Sequence, residues 1–201
     1  MTPLRAARSR PRENARRARE GLYRRLVLEA AERIFAEKGF EAAKIEEIAA
    51  ESGLSLGTLY SVFAGKPDVM RAVHATRNRE ILQASAAAAG AASGPAEALL
   101  AAVAAYVDFF VGHPDYLRIH LRGGHAWGLA GAGHPSPAQA HAWEEGIAAD
   151  AFHAGEPRLL ARMMIAMQQV QLADWVERGM REGPGGLVAE VHAWVRRAFF
   201  G

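Results

Sequence analysis

Four hydroxyl groups fall within seven residues, on Ser55, Thr58, Tyr60 and Ser61, with Leu56 and Gly57 between the first two. No nucleophile elbow, phosphate loop or paired-carboxylate motif frames them, so bond-making chemistry is not indicated. Hydroxyls clustered at the start of a helix instead suit hydrogen bonding to phosphate oxygens and base edges, helped by the unpaired N–H groups of the first turn. Gly57 removes a side chain where a backbone would have to approach DNA closely. Gly53 stands where the chain must bend sharply, and Ser55 is a good N-cap for a second helix. Ile45 to Phe63 therefore reads as a helix-turn-helix, whose second helix enters a major groove.

The elements that position these groups are legible on either side. Ile45, Ile48, Leu54, Leu59 and Phe63 recur at spacings that place them between the helices, and Ala49 lets the two helices approach. Upstream, Leu26, Ala30 and Ile34 form one i, i+4 row and Val27, Ala31 and Phe35 the next, the stripe of an amphipathic helix starting between Asn14 and Leu22. Gly39 ends it as a C′ residue, with Phe40 folding back on the last turn.

The run Gly53-Leu54-Ser55-Leu56-Gly57-Thr58-Leu59-Tyr60-Ser61-Val62-Phe63, followed by Lys66 and an apolar helix, resembles the signature of the TetR family of bacterial transcription regulators. Ala30 to Phe40 is similar to the family's first helix and Ile45 to Ala49 to its second, so the resemblance covers about a quarter of the chain. It implies that Thr58, Tyr60 and Lys66 contact phosphates and that Ser55 and Leu56 open the recognition helix. Two positions depart from the pattern. Lys44 stands where a capping Thr is usual and cannot accept an N–H bond, which leaves it a candidate phosphate contact; Val62 removes a frequent polar group. For Tyr60 the competing reading is a buried aromatic, and for Lys66 a solvated charge.

Charge is distributed unevenly. Residues 1–25 hold nine arginines against two glutamates, a balance of +7, which leaves −5 for the rest of a chain whose net charge is +2. Residues 1–20, almost without large apolar side chains, read as a disordered arm. Arg16 and Arg17 are its candidate DNA contacts, against the plainer reading of a solubilising tail. No run of about eighteen uncharged apolar residues is present, the basic start lacks an apolar signal region, and there is no cysteine. A cytoplasmic protein without a membrane span, disulfides or thiolate metal sites is expected.

Prolines at 67, 95, 114, 137 and 157 each precede an apolar-periodic segment, and Ser136 is an N-cap before Pro137. Helices are predicted near 66–89, 95–112, 114–128, 137–153, 157–182 and 186–199. Breaks fall at 90–94, 131–135 and 183–186. No period-two alternation marks a strand. The fold class is all-α. A helix-turn-helix domain at 21–66 follows the arm, and a larger helical effector-binding and dimerisation domain occupies 67–201.

In the resembled family the second domain dimerises through its last two helices and encloses a small-molecule cavity. Apolar stripes fit the first role, with Val170, Gln171, Asp174 and Trp175 on one helix and Val191, Trp194, Val195 and Phe199 on the next. Part of them must be intrachain core. Tyr106, Phe109, Phe110, Tyr116, His120, Trp127, Trp143, Met163 and Met167 supply candidate pocket surface, with core packing the rival role for each aromatic. Six histidines between His113 and His153 include no i, i+4 pair, so no metal site is assigned. No catalytic residue and no cofactor are expected. The expected partners are double-stranded DNA, a second copy of the chain and a small apolar or aromatic ligand. The expected function is a homodimeric repressor released from a palindromic operator by that ligand. The alternative is a DNA-binding protein whose second domain binds a protein partner.

Overall fold

The computed structural model describes residues 9–122, 135–181 and 183–200, with side chains from residue 12 onward. Among them are nine helices and no strand. They are α1 (Ser9–Ala42), α2 (Ile45–Glu51), α3 (Leu56–Tyr60), α4 (Lys66–Gly90), α5 (Pro95–Gly112), α6 (Pro114–Arg122), α7 (Pro137–Ala148), α8 (Pro157–Glu177) and α9 (Pro184–Phe199). The chain forms two compact units that divide after Arg77.

The N-terminal unit is built on α1. Val27, Ala30, Ala31 and Phe35 are buried against Ile48, Ala49, Leu59 and Phe63, so the predicted stripes meet as the core. Gly39 breaks α1 at φ 77°, a left-handed value that glycine adopts without a Cβ penalty, and the ring of Phe40 returns to within 5.8 Å of Phe35. Val69 and Val73 are also buried, and Arg77 forms two hydrogen bonds to Glu32 at 2.7 and 3.0 Å. These contacts hold the first three turns of α4 in this unit, which therefore extends beyond the boundary at residue 66 that the sequence suggests.

Residues 9–20 correct the expectation of a disordered arm, because α1 already includes them. Arg, Ala and Glu are good helix formers, and the Glu13–Arg17 and Arg16–Glu20 pairs at i, i+4 support the turns without any core. Residues 1–8 lie outside the described residues.

The second unit packs α5 against α6, α7 and α9, and α8 against α7 and α9. Proline opens α5, α6, α7, α8 and α9, where its missing N–H would be unpaired anyway. Ser136 caps α7 in a reciprocal pair with Gln139. α9 starts at Pro184, earlier than the glycine break predicts, since glycine costs little in a first turn whose N–H groups lack helical acceptors. α8 ends at Glu177, before left-handed Gly179 and Met180. α5 is the one helix, among the described residues, long and apolar enough to cross a bilayer; here Val103, Val107 and Phe110 are buried inside the helical unit. The expected extension of α6 to residue 128, together with Trp127, lies outside the described residues.

Candidate nucleic-acid interface and effector cavity

Gly53 makes the turn of the helix-turn-helix at φ 70°, and its N–H bonds to the Ala50 carbonyl while Leu54 N–H reaches Ala49. Ser55 then caps α3: its Oγ accepts the Thr58 N–H at 3.1 Å and lies 2.8 Å from Thr58 Oγ1. The Ser61 hydroxyl donates to the Thr58 carbonyl at 2.6 Å. Leu59 is fully buried and pins the helix to the core. Opposite it, Ser55, Gly57, Tyr60 and Ser61 are exposed or partly so, and Leu56 and Thr58 are accessible at the same end of the helix. Tyr60 is 50% exposed, which rules out its rival reading as a buried aromatic. The outer face of α3 thus presents hydroxyls, one aliphatic side chain and a bare backbone at Gly57.

Neighbouring side chains hold α3 in place. Arg24 donates to the Val62 carbonyl at 2.6 Å and lies 4.2 Å over the Phe63 ring, fixing the exit of α3 to α1. No spacing rule marks Arg24 in the sequence, because its partner lies 38 residues away. Lys44 is exposed and supplies no acceptor to α2; Glu47 instead accepts the Lys44 N–H at 3.2 Å and the Lys38 ammonium at 2.8 Å. The Lys38 hydrogen bond, then the Lys44 N–H, hold the Glu47 carboxyl below the usual carboxylate range. The backbone N–H of Ala64 does the same for Asp68 at the start of α4.

Lys66 requires a correction. It is neither a solvated charge nor directed outward. Its ammonium donates to the carbonyls of Phe40, Glu41 and Ala43 at 2.6, 3.2 and 2.9 Å and sits 4.5 Å over the Phe40 ring. These carbonyls lie at and just beyond the end of α1 at Ala42, where no further helical N–H follows, and a cation answers both them and the negative end of the helix.

In the second unit a cavity of about 670 Å³ opens between α4, α5, α7 and α8. Its walls are chiefly small: Ala86 and Ala89 of α4, Ala98 and Ala102 of α5, Ala138 and Ala142 of α7, and Ala161 of α8. Larger apolar surface comes from Leu82, Leu99, Val103, Phe152, Met164 and Ile165. Of the expected pocket residues, Tyr106 and Trp143 line it. Phe109, Phe110, Tyr116 and His120 do not; they form an aromatic stack in which the Phe110 and Tyr116 rings are 5.8 Å apart and parallel to within 8°. Met163 points outward, 51% exposed, and Met167 is also outside the lining. Aromatics attract attention in a sequence, but the volume exists because alanines leave it unfilled. The alanine-rich stretches of α4 and α5 were the available signal.

The dimerisation residues separate in the same way. Trp175, Val191, Val195 and Phe199 are buried in their own chain, with the Phe199 ring 5.2 Å from Trp143. Asp174 pairs with Arg178 at 2.8 Å, which also reaches Glu190 of α9. Gln171 is half-buried, its Oε1 lacking a donor among the described residues. Val170 and Trp194 remain outside, joined on the α8 surface by Leu159 and Met163. Helical periodicity shows that a face is apolar but not what covers it.

Comparison with known proteins places these features. Residues 27–73 match the family described as bacterial regulatory proteins, tetR family. No curated protein is similar enough in sequence to match the chain. Among solved structures, the fatty acid degradation regulator FadR from Bacillus halodurans has a TM-score of 0.74 at 18% identity, covering 85% of this chain and 93% of that one. FadR from Bacillus subtilis in complex with stearoyl-CoA gives 0.72 at 17%, covering 84% and 95%. A TetR family transcription regulator from Marinobacter aquaeolei gives 0.71 at 21%, covering 92% and 98%.

Proposed function

Proceeding from an N-terminal domain that belongs to the tetR family of bacterial regulatory proteins, we propose that this DNA-binding regulator is a homodimeric repressor released from a palindromic operator by a small molecule. The observation that carries the reading is the exposed face of α3. Its hydroxyls and bare Gly57 backbone stand outward while Leu59 and the Arg24 clamp keep the helix rigid. Ser55, Leu56, Gly57, Thr58, Tyr60 and Ser61 enter the major groove, and exposed Lys44, with Arg16 and Arg17 of α1, meets flanking phosphates.

One five-residue helix offers few contacts, and two copies related by a twofold axis double them. Leu159, Met163 and Val170 of α8 and Trp194 of α9, large apolar groups left exposed, supply the surface for that pairing. Two recognition helices about 34–36 Å apart then reach successive major grooves. α4 gives Val69 and Val73 to the core of the first unit and Leu82 to Ala89 to the wall of the cavity. A ligand that prefers one position of α4 therefore biases DNA affinity. Complete switching takes roughly 5.5 kcal/mol of differential binding. That a fold neighbour was crystallised with stearoyl-CoA supports an effector role for the cavity here.

Selection of bound fragments from a random duplex pool at low ionic strength tests the reading. An inverted repeat is expected, with Tyr60→Ala weakening binding about tenfold while thermal unfolding stays unchanged. Recovery of no preferred sequence would refute it.

A further inference from the structure

The effector cavity carries a charge pattern that restricts what it holds. Among the described residues that line it there is no Lys, Arg or His. Residues 123–134, which lie outside the described residues, contain no Lys or Arg, and their two histidines are His125 and His134. The single lining carboxylate, Glu145, has a side chain 65% exposed and sits 3.4 Å from His141, so it belongs to the solvated rim. Among the described residues, the interior therefore offers no counter-charge to an anion.

What it does offer is hydrogen bonding. Gln168 is 5% exposed and lines the cavity. A ligand polar group inside the cavity would meet this amide in the wall and hydrogen-bond to it. An amide both donates and accepts. Tyr106 adds a phenol, which burial, with Tyr116 nearby, pushes far above its ordinary range and keeps as a neutral donor. Alanine walls and the rings of Trp143 and Phe152 make the remaining surface apolar.

We propose that the cavity takes an uncharged, mainly hydrocarbon molecule whose one polar group is a carbonyl or hydroxyl bonded to Gln168 and Tyr106. This rests on the reading of the cavity as the effector site. A carboxylate would lose its water and find no cation among the described lining residues. A permanent cation would find, among the described lining residues, only Glu145 at the wet rim.

Four probes with one chain length separate the classes: 1-decanol, methyl decanoate, decanoate and decyltrimethylammonium. They are titrated into the full-length protein near neutral pH, with binding followed by calorimetry. The alcohol and the ester should bind at least tenfold more tightly than either ion. Gln168→Leu should lower their affinity about tenfold, and the plugging variants Ala102→Phe and Ala98→Phe should abolish binding. Equal or tighter binding of decanoate or the ammonium, blocked by the plugs, would overturn the ligand class while leaving the cavity as effector site. Binding that survives both plugs in folded protein, or no binding of any probe, would overturn the effector reading itself.

Discussion

Lys66 illustrates how a residue type leaves its role open. A lysine next to a recognition helix suggests a phosphate contact, but here three carbonyls at and just beyond the end of α1 surround the ammonium. Lys66→Met should therefore cost about 1–2 kcal/mol of stability, measured by urea unfolding. The log–log salt slope of DNA binding should stay unchanged, where removal of a phosphate-binding cation would lower it by about 0.9. Glu47 gives a pH signature. Its carboxyl titrates below the ordinary range because Lys38, and then the Lys44 N–H, bond to the ionised form. Protonation is thus disfavoured in the folded state. The stabilisation is present above the unfolded carboxylate range and disappears as pH falls through the depressed folded value. Glu47→Gln should unfold at lower temperature than wild type at neutral pH, and the two Tm values should converge in acid.

At the scale of elements, α1 explains why a segment without a core still has structure. Arg12, Arg16, Arg19 and Tyr23 follow i, i+4, i+7 and i+11 spacing, and the same face continues into buried Val27 and Ala30. The core-facing stripe of the first unit thus runs on as a cationic one. Replacing Arg12, Arg16, Arg17 and Arg19 together by Ala, which preserves helix propensity, should leave the far-ultraviolet dichroism intact. The salt slope should fall by about 0.9 for each phosphate that these arginines neutralise. An unchanged slope would assign this end of α1 to solubility. α7 gives a packing test. A Cβ at Gly146 would lie 2.0 Å from a Phe152 ring carbon, beneath the Trp143–Phe152 contact. Gly146→Ala should destabilise the second unit by about 1–3 kcal/mol, read in its thermal transition.

For the whole molecule the proposed pairing rests on the exposed part of α8 and α9. Trp194, 48% exposed with Arg197 5.2 Å over its ring, and Val170, 54% exposed, are large apolar groups that packing inside one chain leaves uncovered. Val170→Asp combined with Trp194→Arg should give a folded monomer by sedimentation. Its operator affinity should fall by at least tenfold, because a palindrome is no longer read twice. A dimer that persisted would move the interface elsewhere.

Sequence alone determined the helix-turn-helix. Its apolar rows, the glycines at 39 and 53 and the Ser55 cap act within a few residues of one another, and short-range sterics and hydrogen bonds dictate such features locally. It likewise determined most helix starts, because proline carries its conformational restriction with it. Tertiary structure decided what covers each apolar face. It placed Trp175, Val191, Val195 and Phe199 in the core and left Trp194 outside. It turned Lys66 inward, and it made a cavity from alanines rather than from the aromatic residues that stand out in the sequence. Those outcomes depend on which helices meet and how much volume their side chains leave between them, and residues tens of positions apart in the chain contribute equally to both.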